Sequence, residues 1–138
     1  MSEATELTPI GRVESPLTDR ASAPKQGSEG APDAWLVFDP AVADALADVE
    51  PGDAAIVVTW LHQADRTTLR VHPRDDLSRP LRGVFTTRSA ERPNPIGLHE
   101  VEVLAVEGER VHVRPLEALN GTPVVDVKPV LRPQSSRS

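Results

Sequence analysis

Apolar positions in this chain come in short runs separated by turn formers, the pattern of a β domain rather than of packed helices. Ile10–Glu14 is the first predicted strand and Ala34–Phe38, AWLVF, the second. Between them Ser15–Pro32, SPLTDRASAPKQGSEGAP, has no apolar period and is predicted to be a long loop. Loops of that length inside a compact domain are usually functional or disordered. Asp39 then precedes PAVADALADV. An aspartate satisfies the exposed N–H groups of a first helical turn, and Pro40 suits the first helical position. A short helix is therefore expected, with Val42, Leu46 and Val49 recurring along it and an end near Pro51-Gly52. Ala54–Leu61, AAIVVTWL, is almost unbroken in its apolar character and predicts a strand buried on both faces. Thr67–Val71 and Gly83–Thr86 predict two more strands.

His99–Val106, HEVEVLAV, alternates strictly. Val101, Val103 and by continuation Ala105 take one face, and Glu100, Glu102 and Leu104 the other. Glu107-Gly108-Glu109 predicts a hairpin turn, and Arg110–Pro115 pairs back with Val111 and Val113 sharing a face. Leu119-Asn120-Gly121-Thr122 is a second turn, leading into a last strand at Pro123–Lys128. The expected fold is mainly β: a single closed or nearly closed β-barrel with one short helix and long loops, since closure leaves no strand edge exposed. Residues 10–131 form that one domain, and 1–9 and 132–138 are expected to be disordered flanks.

Composition narrows the possibilities. A chain of 138 residues has room for one core. There is no run of ~18 apolar residues that would cross a membrane. MSEATELTP has no basic stretch followed by an apolar one, so no secretory signal is evident and the cytoplasm is the expected compartment. Cysteine is absent, which excludes disulfides, thiolate metal sites and cysteine nucleophiles. The four histidines, His62, His72, His99 and His112, stand at least ten residues apart and show no metal-ligand spacing. GxGxxG, P-loop and GxSxG motifs are also missing, against dinucleotide, nucleotide triphosphate and hydrolase chemistry.

Charge is unevenly spread. The net charge is −6, but residues 1–65 hold three Lys/Arg against twelve Asp/Glu, a net of −9. Residues 66–92 hold seven arginines, Arg66, Arg70, Arg74, Arg79, Arg82, Arg88 and Arg92, against three acids, a net of +4. Such a stretch makes either a local anion site or a solvated arginine-rich loop. It runs into RSAERPNPIGL, where Pro93 and Pro95 fix their own φ and restrict Arg92 and Asn94 before them. Asn94 is thus held rigidly, either to present its amide to a ligand or to bond its own backbone in a turn. Arg88 and Arg92 can each hold a carboxylate or phosphate, and spacing does not decide between them.

Thr87–Leu98, TRSAERPNPIGL, followed by Asn120–Pro129, NGTPVVDVKP, resembles the paired signature of the TsaA-like, or TrmO-type, family. These are S-adenosylmethionine-dependent methyltransferases that modify threonylcarbamoyladenosine beside the anticodon of certain tRNAs. The resemblance runs from about Ile10 to Pro129 and implies a dimeric β-barrel rather than a Rossmann fold. It implies a donor pocket lined by Pro24-Lys25-Gln26, His62-Gln63, Arg88, Leu98 and Leu119-Asn120-Gly121-Thr122, with Arg92 and Asn94 in the same motif. Lys25 stands where the family usually has arginine, and keeps the charge without the planar fork. Asn120 stands where the family usually has aspartate, and keeps the turn geometry without the charge. Methylating a ureido-type nitrogen requires loss of a proton, and Asp126 and His62 are the candidates to take it. The sequence is acidic overall and ends just after the expected barrel, whereas longer members carry an extra C-terminal region. This leaves two alternatives open: methylation of a small molecule or peptide, and a barrel that holds S-adenosylmethionine without turnover.

Overall fold

A computed structural model describes residues 4–18 and 30–131. Eight strands form: β1 (Gly11–Glu14), β2 (Ala34–Phe38), β3 (Ala54–Trp60), β4 (Arg70–Val71), β5 (Arg82–Gly83), β6 (Ile96–Glu107), β7 (Arg110–Arg114) and β8 (Pro123–Pro129). Six of them close into a barrel in the order β1-β2-β7-β6-β3-β8, with β8 returning to β1 through Gly11↔Val124. All pairings are antiparallel. The expected closed barrel is what forms.

Period-two patterning builds the interior. Val13, Leu36, Val57, Val113, Leu116 and Val124 are essentially fully buried and belong to one core cluster. β3 does not have two buried faces, contrary to the reading of its apolar run. Ala55, Val57 and Thr59 point inward, while Ala54, Ile56, Val58 and Trp60 are only half-buried. A single-layered barrel gives each strand one inner face, and AAIVVTW supplies apolar residues to both.

Bulges alter two strands. In β6, Val103 pairs with Val113 but Ala105 pairs with His112, so the extra residue Leu104 reverses the alternation. Val106, opposite Val111, packs on the core in the place expected of Ala105. In β8 the register shifts between Val58↔Asp126 and Thr59↔Val124, which leaves Val125 as the extra residue.

The short helix is a 3-10 helix, Pro40–Leu46, with Asp39 accepting the Ala41 N–H at 2.9 Å. Val42, Leu46 and Val49 still pack against the core. Asp48, at φ 70, stops it short of Pro51-Gly52. The strand expected at Thr67–Val71 shrinks to the two residues of β4, and Gly83–Thr86 becomes mostly a 3-10 turn. There the Thr86 and Thr87 hydroxyls donate back to the Gly83 and Val84 carbonyls and curl the backbone. No helix among the described residues is long and apolar enough to cross a membrane.

Candidate functional site

β3 and β6 are neighbours, with Trp60 opposite Ile96, so residues 61–95 leave and re-enter the barrel at one place. The Leu61 N–H donates to the Pro95 carbonyl at 2.7 Å and closes the base of this excursion. Side-chain caps shape its outer part. Asp65 accepts the Thr67 hydroxyl and amide, each at 2.7 Å, and Asp76 the Ser78 hydroxyl and amide at 2.6 and 2.9 Å. Those donors hold both carboxyls below the usual aspartate range, with Arg79 adding to the effect on Asp76. A carboxyl that is a stronger acid when folded stabilises above the ordinary aspartate pKa. These caps are therefore in place at neutral pH and are lost as the pH falls through the lowered values. The His72 Nδ1–H donates to the Arg79 carbonyl at 2.8 Å. Arg74 and Asp75 hold left-handed backbone at φ 55 and 60, a strained conformation for side chains of that kind, and both line the cleft described below.

The return limb is the proline-stiffened motif. The Arg92 guanidinium donates through Nη1 to the carbonyls of Thr87, at 3.1 Å, and Ser89, at 2.9 Å, and so folds its own loop. Pro95 is buried. Arg66 lies over the Trp60 ring at 5.0 Å and donates to the Pro93 carbonyl at 2.8 Å and to Asn94 Oδ1 at 3.2 Å. A guanidinium only donates, so Asn94 Oδ1 is its acceptor and the NH2 group is what Asn94 has left to offer. Arg88, in contrast, is exposed and has no protein partner among the described residues.

Excursion and barrel end enclose a cleft of about 880 Å³. It brings together eight of the sequence-predicted residues: His62, Gln63, Arg88, Arg92, Asn94, Leu98, Leu119 and Thr122. Pro24, Lys25 and Gln26 lie outside the described residues. Asn120 and Gly121 form the turn beneath the cleft rather than its wall. The Asn120 Oδ1 accepts the Ser15 N–H at 3.1 Å, the Asn120 backbone N–H donates to the Leu17 carbonyl at 2.7 Å, and Gly121 has φ 86. An aspartate oxygen would accept the same N–H, so this contact depends on the acceptor and not on a charge. Asp126 is not brought to the cleft. It faces the barrel exterior, 46% exposed, and pairs with Lys128 at 3.0 Å. His62 is exposed at the cleft wall.

The cleft also contains a polar group that sequence reading passed over. The Thr59 Oγ1 lies 2.7 Å from His99 Nε2, and His99 Nδ1 lies 2.6 Å from Glu117 Oε1. Thr59 and His99 are 0% and 5% exposed, and both His99 and Glu117 line the cleft. A signal was present, because His99 shares the inward parity of Val101 and Val103. Gly97 makes the group possible: a Cβ there would sit 2.6 Å from Thr59 Oγ1 and 2.7 Å from His99 Nε2. Among the described residues no cluster of three or more His, Cys, Asp or Glu could hold a metal ion.

The fold and site thus define a small closed-barrel domain whose cleft is lined by two guanidinium groups, Arg82 and Arg88, without protein partners among the described residues, together with apolar walls and a carboxylate, suited to a zwitterionic organic ligand. The family model for the tRNA-methyltransferase O N-terminal domain matches residues 12–134. An S-adenosyl-L-methionine-binding protein of Archaeoglobus fulgidus is 47% identical over 123 residues, 88% of this chain and 86% of that protein. A probable S-adenosyl-L-methionine-binding protein of Methanothermobacter thermautotrophicus is 44% identical over 123 residues, 89% of this chain and 88% of that one. Among solved structures, TrmO from Pseudomonas aeruginosa superposes with a TM-score of 0.75 at 29% identity, covering 94% of this chain and 57% of its own. Another TrmO structure gives 0.77 at 29% identity, covering 99% and 62%. The chain therefore spans about three fifths of these solved TrmO chains. It belongs to the tRNA-methyltransferase O N-terminal domain family.

Proposed function

We propose that this chain transfers a methyl group from S-adenosylmethionine to tRNA, N-methylating threonylcarbamoyladenosine beside the anticodon. Membership of the family makes it an S-adenosylmethionine-dependent methyltransferase. The observation that carries the reading is the convergence of Arg88, Asn94, His62, Leu98, Leu119 and Thr122 on one 880 Å³ cleft.

These residues fit the donor's chemistry. Arg88 is free to hold its carboxylate, while Arg92 is occupied in folding the loop. Leu98 and Leu119 supply apolar surface for the adenine and the Asn94 NH2 a polar contact, while the Thr122 hydroxyl is taken up by the Leu119 carbonyl at 2.7 Å. When bound, the donor supplies an electrophilic methyl on a sulfonium. The protein's work is alignment and the exclusion of water. Of the two candidates to receive the acceptor's proton, His62 lies on the cleft wall, whereas Asp126 has Lys128 as its partner on the outer face. Two exposed arginines of the excursion, Arg70 and Arg82, are available to RNA phosphates.

The test is calorimetry with S-adenosylmethionine, followed by mass spectrometry of nucleosides from tRNA incubated with protein and donor. Donor binding and one added methyl on threonylcarbamoyladenosine are expected, with tRNA binding that weakens steeply as salt rises. Donor binding without tRNA methylation moves the acceptor to a small molecule or peptide, and no donor binding at all removes the whole reading.

A homodimer is part of this proposal. The excursion exposes Leu69 (64%), Leu77 (79%) and Phe85 (81%), apolar side chains that a second copy would cover. Light scattering should report a dimer for the parent chain and a folded monomer for Phe85→Glu. A monomeric parent at tens-of-micromolar concentration would discard this part alone.

A further inference from the structure

The Thr59–His99–Glu117 group takes no part in the methyl transfer as proposed above. A hydroxyl, an imidazole and a carboxylate in a barrel wall are costly to desolvate, and an apolar trio would pack there without that cost. Their hydrogen bonds are nevertheless fully ordered. A carboxylate only accepts, so His99 Nδ1 carries the proton shared with Glu117 Oε1. In the neutral ring Nε2 then accepts from the Thr59 hydroxyl. The chain of bonds starts at a fully buried threonine and ends at a carboxylate that reaches the cleft, 16% exposed. The Glu117 Oε2 has no protein partner among the described residues. Gly97, directly across from Thr59 in the β3–β6 pairing, keeps the space that the group requires.

A fixed carboxylate with unused lone pairs is an acceptor for hydroxyl or amine hydrogens. S-adenosylmethionine offers such hydrogens in three places: the α-ammonium, the adenine amine and the ribose diol. The ammonium shares a carbon with the carboxylate, and Arg88, the cation proposed for that carboxylate, is exposed on the excursion, as is the other cleft arginine without a protein partner among the described residues, Arg82. Glu117 is instead part-buried against the barrel, in the β7–β8 connection between the buried Leu116 and Ala118. The amino-acid end therefore belongs at the exposed side and the nucleoside end at the wall. Of the two nucleoside groups, the diol matches the carboxylate better, since adjacent hydroxyls can share its remaining lone pairs while one amine cannot use them all.

We propose that Glu117 is the acceptor for the donor's ribose hydroxyls, and that His99 and Thr59 are positioning residues that hold it. The proposal rests on S-adenosylmethionine being the donor. The experiment is calorimetry on the full chain with S-adenosylhomocysteine and its 2′-deoxy and 3′-deoxy forms. Loss of a hydroxyl bonded to a charged group should weaken binding about tenfold or more in the parent protein. Glu117→Gln should weaken S-adenosylhomocysteine by a similar factor and bind parent and deoxy ligands almost alike. His99→Ala should also lose that discrimination while keeping the part of the affinity common to both ligands. A merely structural histidine would lower all affinities together. Equal binding of the three ligands by the parent overturns the proposal without needing any variant to fold. Undetectable binding of all three would instead overturn the donor reading on which it rests.

Discussion

Arg88→Ala is expected to weaken S-adenosylhomocysteine binding by about tenfold or more, because a charge-assisted contact to a carboxylate contributes about 1.5–3 kcal/mol. Its effect on stability should be small, within about 0.5 kcal/mol, as for other surface positions without structural partners. The expectation follows from what Arg88 lacks: it is exposed, faces the cleft and makes no hydrogen bond or ion pair among the described residues. Arg92, four positions on, provides the contrast. Its guanidinium holds the Thr87 and Ser89 carbonyls, so Arg92→Ala should lower melting temperature and affinity together. Measuring both quantities for both variants separates a ligand contact from a loop brace. Parallel losses in Arg88→Ala would assign it the same bracing role, and an unchanged affinity would remove it from the donor site.

Gly97→Ala should cost about 2–3 kcal/mol of stability, the range of overpacking in a tight interior. The added Cβ would meet Thr59 Oγ1 at 2.6 Å and His99 Nε2 at 2.7 Å. Neither neighbour is a loose surface chain, since Thr59 is fully buried and His99 is tied at both ring nitrogens. Relief requires breaking the Thr59–His99 bond, which leaves buried polar atoms unpaired. Urea denaturation measures the loss. A change below about 0.5 kcal/mol, the usual surface value, would show that His99 swings aside freely and that the polar group is not rigid.

Alternation in HEVEVLAV and the turn at Gly108 made the β6–β7 hairpin legible, and the short apolar runs made the barrel so. The bulges were not, because Leu104 and Val125 are apolar like their neighbours and nothing local distinguishes an extra residue from a paired one. In the site, the motif residues Arg88, Asn94 and Leu98 line one cleft. The motif does not show that Arg92 is taken up by its own loop, which depends on which carbonyls lie within reach. Period two put Asp126 and Lys128 on one face, but pattern alone did not say that this face was the exterior. Distance from other histidines is a test for metal ligands and does not reveal the contact of His99 with Glu117, 18 positions away in sequence.

The excursion stands with both feet on one hydrogen-bonded strand pair, Trp60↔Ile96, tied again by Leu61 and Pro95. Lengthening a loop anchored this way costs only about 0.6 kcal/mol per doubling. Residues 61–95 therefore behave as a cassette: insertions or exchanges can reshape what approaches the reacting groups while the strands beneath keep their register. A scaffold of this kind lets relatives diverge in the molecules they modify without redesigning the platform that carries the chemistry.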